Sequence, residues 1–223
     1  MKILEIAESI LMEKFRTEPF HNFRRLKETE IFSSCAGGTC SDKTRSYINT
    51  LNEKGIKANL HTALIDNKFN HQIARIEFEG HSYFADVGNG WPSIHLYPEN
   101  KEVDYECYGM RFRSEIHDDT IKVYHTRNNK ENLQMEFNRL PQSQRTVKEN
   151  INQRFINNIN YPFDRGLRFS MVVEDRFLFI RNNELQIYSD KKWSSLDIVT
   201  VDNLPDLIKE YYYFNIVSNN YTK

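Results

Sequence analysis

Apolar residues recur along the start of the chain with a helical period and then change to a period of two. Ile3, Ile6, Ala7, Ile10, Leu11 and Phe15 fall on one face across residues 2–16, which predicts an amphipathic helix. A second helical pattern begins near Cys40, carries Tyr47, Ile48 and Leu51, and is stopped by Gly55. From Ile56 the alternation Ile56, Ala58, Leu60, Thr62, Leu64 is that of a strand. Strand-like runs follow at 71–79, 81–87, 110–117, 120–126 and 131–138, separated by turn residues. Residues 143–157 contain no Pro or Gly and predict a helix. Three short strands are expected between Leu167 and Tyr188, and a last helix from about Asp202 to Tyr212. Helices first, antiparallel strands next and a mixed tail make an α+β protein.

Bulk properties narrow the function classes. The chain has 223 residues and a formal net charge of −1. Neither a nucleic-acid surface nor an anionic membrane is favoured by that balance. Hydrophobic residues make up 39% and aromatics 13%, enough to build a core. No apolar run reaches the roughly 18 residues of a membrane span, and the acidic residues in Met1-Lys2-Ile3-Leu4-Glu5 do not suit a signal peptide. Three cysteines without paired spacing favour a reducing compartment, so a cytoplasmic protein is expected.

Candidate chemistry centres on Cys40, His71 and Asp86. Cys40 lies in Ala36-Gly37-Gly38-Thr39-Cys40-Ser41-Asp42, where two glycines permit a tight turn and a helix begins at the thiol. A helix N-terminus stabilises a thiolate and offers backbone N–H groups to an oxyanion. The bland alternative is a small buried hydrophobe, which is the expectation for Cys35 and Cys107. If Glu79-Gly80 is a two-residue turn, Phe78 faces His81 across a hairpin. Ala74, Ile76, Phe78, Tyr83, Ala85 and Val87 then form one apolar face, and His71 and Asp86 share the other as diagonal neighbours. Such neighbours lie roughly 7–8 Å apart, within reach of an imidazole and a carboxylate. Cysteine, base and orienting acid are the parts a thiolate nucleophile requires.

Other polar residues read as structural. His61 alternates out of the apolar set of its strand and is expected in solvent. His81 is expected to be half-exposed, and His21, His95, His117 and His125 to lie in loops or at strand edges. No Cys/His cluster has metal-ligand spacing, so no metal is expected. Gly37-Gly38 lacks the Lys and spacing of a phosphate or dinucleotide loop. Arg165, Arg168, Arg176 and Arg181 alternate with apolar residues, as on a solvated strand face.

The chain resembles the arylamine N-acetyltransferases. Their Arg-Gly-Gly-x-Cys-x-Glu motif corresponds to residues 36–42, with Ala36 for the Arg and Asp42 for the Glu. The family's later strand-opening His matches His71. Its Asp-Val-Gly-Phe-Gly segment matches Asp86-Val87-Gly88-Asn89-Gly90, followed by Trp91-Pro92. Weaker similarity runs through Glu18-Pro19-Phe20-His21-Asn22-Phe23, Tyr161-Pro162-Phe163 and residues 207–216. The resemblance implies an N-terminal helical bundle (residues 1–55, carrying the nucleophile helix), an antiparallel β-barrel (56–142) and a C-terminal α/β lid (143–223). It implies that Cys40 takes an acetyl group from acetyl-coenzyme A and passes it to an amine or hydrazine, with His71 as base and Asp86 as orienting acid. The donor is then a substrate, and no residue shows a phosphate-binding signature for it. The segment before Cys40 is shorter than the family's, which predicts a trimmed bundle. Asn89 replaces an aromatic residue of the acceptor pocket; with Trp91 it is expected to line that pocket and make one wall more polar. The same core could also serve a cysteine amidase or amide synthase, or a non-catalytic binding module.

Overall fold

Helix α1 (Ile3–Thr17) buries Ala7, Ile10, Leu11 and Phe15, most of the stripe that helical spacing predicts. The chain then forms strand β1 (Phe20–His21) and two 3-10 segments, Phe23–Arg25 and Lys27–Phe32, before helix α2 (Cys40–Glu53). This computed structural model describes residues 3–156, 164, 166–190, 193–196, 199–216 and 220–221. Helices α1 and α2 are locked by polar contacts as well as apolar ones. The Tyr47 hydroxyl donates to the Ala7 carbonyl at 2.9 Å. Buried Lys43 donates to the carbonyls of Lys14 and Glu18. The Lys14 carbonyl also accepts the Glu18 N–H at 3.2 Å, and the Glu18 carbonyl lies just beyond the end of α1, where the helix offers no backbone donor.

Eight antiparallel strands follow: β2 (Ala58–Ile65), β3 (Lys68–Phe78), β4 (His81–Ala85), β5 (Tyr97–Pro98), β6 (Asp104–Cys107), β7 (Met110–His117), β8 (Thr120–Arg127) and β9 (Lys130–Asn138). Their order is β5-β4-β3-β2-β9-β8-β7-β6, open between β5 and β6. Phe84 of β4 and Phe137 of β9 have ring centroids 4.7 Å apart, although β3 and β2 lie between their strands. Three flat strand spacings would separate them by about 14 Å. The sheet therefore curls into a half-barrel, and its two faces carry separate cores. One face packs Ala74, Ile76, Ala85 and Val87 against α1 and α2. The other gathers Ala63, Ile73, Phe84, Ile121, Val123 and Phe137 inside the curl.

That second core corrects the reading of His61. It is 1% exposed rather than solvated, packed edge-on against Phe84 at 5.1 Å and bonded through Nε2 to the Asn138 carbonyl at 2.8 Å. Alternation correctly placed it off the helix-facing side, but curling makes the opposite side an interior.

Helix α3 (Gln144–Ile156) packs on β2 and β3, and the Asn150 amide donates to the Thr62 hydroxyl at 2.8 Å. Strands β10 (Arg168–Val173), β11 (Arg176–Arg181), β12 (Glu184–Tyr188) and β13 (Trp193–Leu196) precede helix α4 (Leu204–Tyr212), and β14 (Phe214–Asn215) pairs with β15 (Asn220–Tyr221). The five-stranded sheet has the order β1-β10-β11-β12-β13, so the N-terminal segment supplies its edge strand. Asn22 fastens the seam: its amide donates to the Gly166 carbonyl, and its Oδ1 accepts the Arg168 N–H, both at 2.8 Å. The Tyr161-Pro162-Phe163 similarity lies outside the described residues.

The Gly37-Gly38 turn is strapped to this same edge. Gly38 N–H donates to the Pro19 carbonyl at 3.1 Å, and His21 N–H to the Gly38 carbonyl at 3.0 Å. Gly37 has φ of +83°, and a Cβ there would lie 2.0 Å from the Pro19 oxygen. Gly37→Ala is expected to cost more than about 2 kcal/mol, combining left-handed strain with a clash against fixed backbone. A shift in the urea unfolding midpoint measures it.

Candidate active site

Cys40 is the first residue of α2, and its placement follows from the turn before it. Thr39 is the N-cap, and the Asp42 carboxylate accepts the Thr39 N–H at 2.9 Å in a capping box. The shorter acid suffices because Gly38 leaves room: a Cβ on Gly38 would lie 2.4 Å from Asp42 Oδ2. Arg24 reaches the other carboxylate oxygen of Asp42 at 3.4 Å and donates to the Ser33 carbonyl at 2.9 Å. Two further bonds tie α2 to β3 beside His71: Thr44 hydroxyl to Gln72 carbonyl at 2.9 Å, and Gln72 amide to Ser41 hydroxyl at 3.0 Å.

The hairpin has the predicted register, with Phe78 opposite His81 and Ala74 opposite Ala85. The paired segment ends at Ala85, so Asp86 stands one residue beyond the strand. His71 Nε2 and Asp86 Oδ1 are 2.8 Å apart, and the two side chains are 2% and 0% exposed. His71 and Cys40 line the same cavity and interact electrostatically. The structure thus brings all three predicted residues together. A Cβ on Gly88 would lie 2.5 Å from Cys40 Cα, so only glycine lets the segment after Asp86 pass so close to the thiol.

Four donors converge on the Asp86 carboxylate. Oδ1 accepts His71 Nε2 and the Gly88 N–H at 3.2 Å; Oδ2 accepts the Asn89 amide at 2.5 Å and the Gln134 amide at 3.2 Å. Asn89 Oδ1 accepts the Trp91 N–H at 2.8 Å, which fixes its orientation. Asn89 lines the cavity beside Cys40, and its amide is turned toward Asp86. Gln134 was not singled out in the sequence. It is the extra residue of a bulge, where Val123 pairs with Met135 but Tyr124 with Leu133. A second bulge places Asn70 immediately before His71, between the pairs Ala63–His71 and Leu64–Phe69. Bulges re-aim side chains at such sites, and period-two reading does not register them.

The electrostatics favour an ion pair between thiolate and imidazolium. Burial alone would raise the Cys40 thiol; the hydrogen bond and charge of His71 and the Gln72 N–H outweigh it and lower the thiol. Burial alone would lower His71, but the Asp86 charge and hydrogen bond reverse this and raise it. Cys35 and Cys107 are pushed up to about 12 by burial.

A cavity of about 230 Å³ opens beside Cys40 and His71. Asn89 and Trp91 line it, joined by Arg127, His125, Arg168 and Arg181. His125 is 5% exposed on an interior strand, not at an edge, and burial holds it down at about 4, so it is neutral. Arg168 is 8% exposed and bonded to Asn182 Oδ1 at 2.6 Å. It and Arg181 therefore face the cavity between the sheets rather than a solvated face; Arg165 lies outside the described residues. Among the described residues no group of three or more His, Cys, Asp or Glu is placed to hold a metal ion.

A family model described as N-acetyltransferase matches residues 28–221. The chain belongs to the arylamine N-acetyltransferase family. Solved structures share the fold at low identity. The Mycobacterium marinum arylamine N-acetyltransferase in complex with CoA superposes with a TM-score of 0.76 at 15% identity, covering 98% of this chain and 89% of that one. The Mycobacterium tuberculosis enzyme gives 0.74 at 15% over 98% and 89%. That of Salmonella typhimurium gives 0.68 at 15% over 95% and 91%. No curated protein sequence matches the chain. Membership makes it an acetyltransferase.

The lowered thiol generates a direct prediction. Iodoacetamide at neutral pH should alkylate Cys40 at least about tenfold faster than Cys35 or Cys107. Because the Cys40 thiol is lowered, its rate should persist to a pH below that at which an ordinary thiol loses reactivity. Peptide mapping of the folded protein measures both; equal labelling of the three would contradict the activated thiolate.

Proposed function

We propose that the protein transfers an acetyl group from acetyl-coenzyme A through a thioester on Cys40 to a small amine or hydrazine, as a cytoplasmic enzyme. The observation that carries this reading is the buried His71–Asp86 hydrogen bond with Cys40 beside it, both Cys40 and His71 lining a cavity of small-molecule size. The family and the CoA complex of the Mycobacterium marinum relative support coenzyme A as the carrier of the donor.

In the first half-reaction the Cys40 thiolate attacks the acetyl carbonyl. A new carbon–sulfur bond forms, the bond to coenzyme A breaks, and the departing thiolate takes the proton from the His71 imidazolium. This leaves acetyl-Cys40, neutral His71 and free coenzyme A thiol. In the second, the amine nitrogen attacks the thioester while His71 accepts one of its N–H protons. Cys40 leaves as thiolate, the amide departs, and the original ion pair is restored. Asp86 holds the ring by Nε2 and stabilises the imidazolium, which leaves Nδ1 available for proton exchange with the thiol. A cysteine at a helix start suits the transient oxyanion, since N-terminal N–H groups face it.

Intact-protein mass spectrometry after incubation with acetyl-coenzyme A tests the reading. One acetyl group is expected on Cys40, and none on the Cys40→Ala or His71→Ala proteins. Normal acetylation of His71→Ala would remove the proposed base. In Asp86→Asn the amide keeps the shape but favours the wrong imidazole tautomer, so acylation should fall by about two to four orders of magnitude. A retained circular-dichroism spectrum distinguishes this loss from unfolding.

A further inference from the structure

The turn that delivers Cys40 is gripped by one residue of β1, His21. Gly37 and Gly38 adopt φ of +83° and +137°, and successive glycines leave a backbone free to wander unless it is bonded in place. The His21 N–H donates to the Gly38 carbonyl at 3.0 Å. Its imidazole takes the other end of the turn, with Nε2 3.1 Å from the Ala36 carbonyl. The second ring nitrogen, Nδ1, lies 3.4 Å from the Phe23 N–H. A carbonyl only accepts and an N–H only donates, so Nε2 carries the proton and Nδ1 is bare. A single neutral tautomer satisfies both contacts.

The ring is fixed as well as bonded. It is 1% exposed. It stacks on Phe23 with centroids 4.5 Å apart and lies 6.5 Å from Phe169, which meets Tyr212 of α4 edge-on at 5.0 Å. Burial pushes the imidazole down to about 4 against the pull of the Ala36 carbonyl, while the charges of Arg24 and Asp42 act on it in opposite directions. It is therefore uncharged at neutral pH. A phenylalanine would fill this space without burying two polar atoms; what the imidazole adds is the use of both on backbone groups. Ala36 has no polar side chain to anchor the turn, and the further donor to its carbonyl, the Cys35 thiol at 3.4 Å, is a weak one. Across the site a Cβ on Gly88 would lie 2.5 Å from Cys40 Cα, so Cys40 has little room to readjust when the turn shifts.

We infer that His21 is a positioning residue of the reaction: its Nε2–H fixes the Ala36 carbonyl and, through the Gly37-Gly38 turn, holds the Cys40 sulfur where it can exchange a proton with His71. Its part in transfer rests on the acetyl-transfer reading above, but the placement of the thiol is measurable without any acyl donor.

Three variants separate the donated hydrogen bond from the packing of the ring. In His21→Gln an amide N–H still reaches the Ala36 carbonyl. His21→Asn keeps an acceptor for the Phe23 N–H but is too short for Ala36, and His21→Phe fills the space with neither. Thiol placement is read from the pH profile of Cys40 alkylation by iodoacetamide. Transfer is read from single-turnover acylation over a range of acetyl-coenzyme A concentrations. In His21→Phe and His21→Asn the saturating acylation rate should fall by about tenfold to a hundredfold, as a misplacement of about 1 Å or less would cause, with the half-saturating concentration within about twofold. The Cys40 alkylation midpoint should rise by about one pH unit as the thiol loses its imidazolium partner. His21→Gln should stay within about threefold of the unsubstituted protein in both readouts.

An unchanged rate and midpoint in His21→Phe would overturn the inference and leave His21 a packing role. Comparable behaviour of His21→Gln and His21→Asn would overturn it too, because the donor to Ala36 would then count for nothing; this comparison decides the matter if His21→Phe does not fold. Nitrogen-15 NMR of the imidazole, assigned against His21→Gln, gives an independent reading. Nε2 should be protonated and Nδ1 bare at neutral pH, and the reverse tautomer or an imidazolium would contradict the grip on Ala36. If the unsubstituted protein takes no acetyl group, the transfer reading fails alone and the alkylation profiles still decide the placement of the thiol.

Discussion

A carboxylate with no solvent contact sits at the centre of this protein, and the elements around it are placed so that both its oxygens are hydrogen-bonded. Asp86 is 0% exposed. An isolated buried charge of this kind is costly unless it is paired and its lone pairs are filled. Here His71 supplies the pair, and Gly88, Asn89 and Gln134 supply three further donors. Those groups come from β3, from the loop after β4 and from a bulge in β9. Meeting the needs of one carboxylate therefore fixes the relative positions of three parts of the half-barrel.

From that fixed point the thiol follows. His71 is held by Asp86 on one side and meets Cys40 on the other, so the sulfur needs only a rigid approach. Helix α2 provides it through its capping box, its bonds to Gln72 and the missing side chain at Gly88. The turn before the helix is bound in turn to β1, which belongs to the five-stranded sheet. Ser170 of that sheet donates to the Gly90 carbonyl at 2.8 Å. The second sheet thus grips the loops on both sides of the reactive centre and closes the cavity over it.

Asn89 shows how a departure from a family pattern can change a residue's work. Where the family has an aromatic side chain, this chain has an amide that both bonds Asp86 and accepts the Trp91 N–H. Trp91 then supplies the aromatic surface two residues later, with Arg127 over its ring, His125 tilted against it and Phe179 edge-on. Polarity is moved toward the carboxylate and the ring toward the cavity wall.

The sequence by itself determined what depends on near neighbours along the chain. Periodicity located α1, α2, α4 and the strands from Ala58 to Asn138 apart from the short β5 and β6, because one buried stripe per element is enough to reveal it. Hairpin parity put His71 and Asp86 on one face, and the glycines before Cys40 marked the helix start that carries the thiol. Tertiary structure alone decided what depends on strands meeting across long separations. Curling of the sheet buried both its faces, which took His61 and His125 inside although alternation had given them to solvent or an edge. Single-residue bulges at Asn70 and Gln134 broke the period of two at the very positions that serve the site. The approach of β10 and β11 to β8 turned Arg168 and Arg181 from an apparent surface stripe into the wall of a cavity. A periodic pattern says which side of an element faces away from its nearest core, but only the packing of a second layer says whether that side meets water.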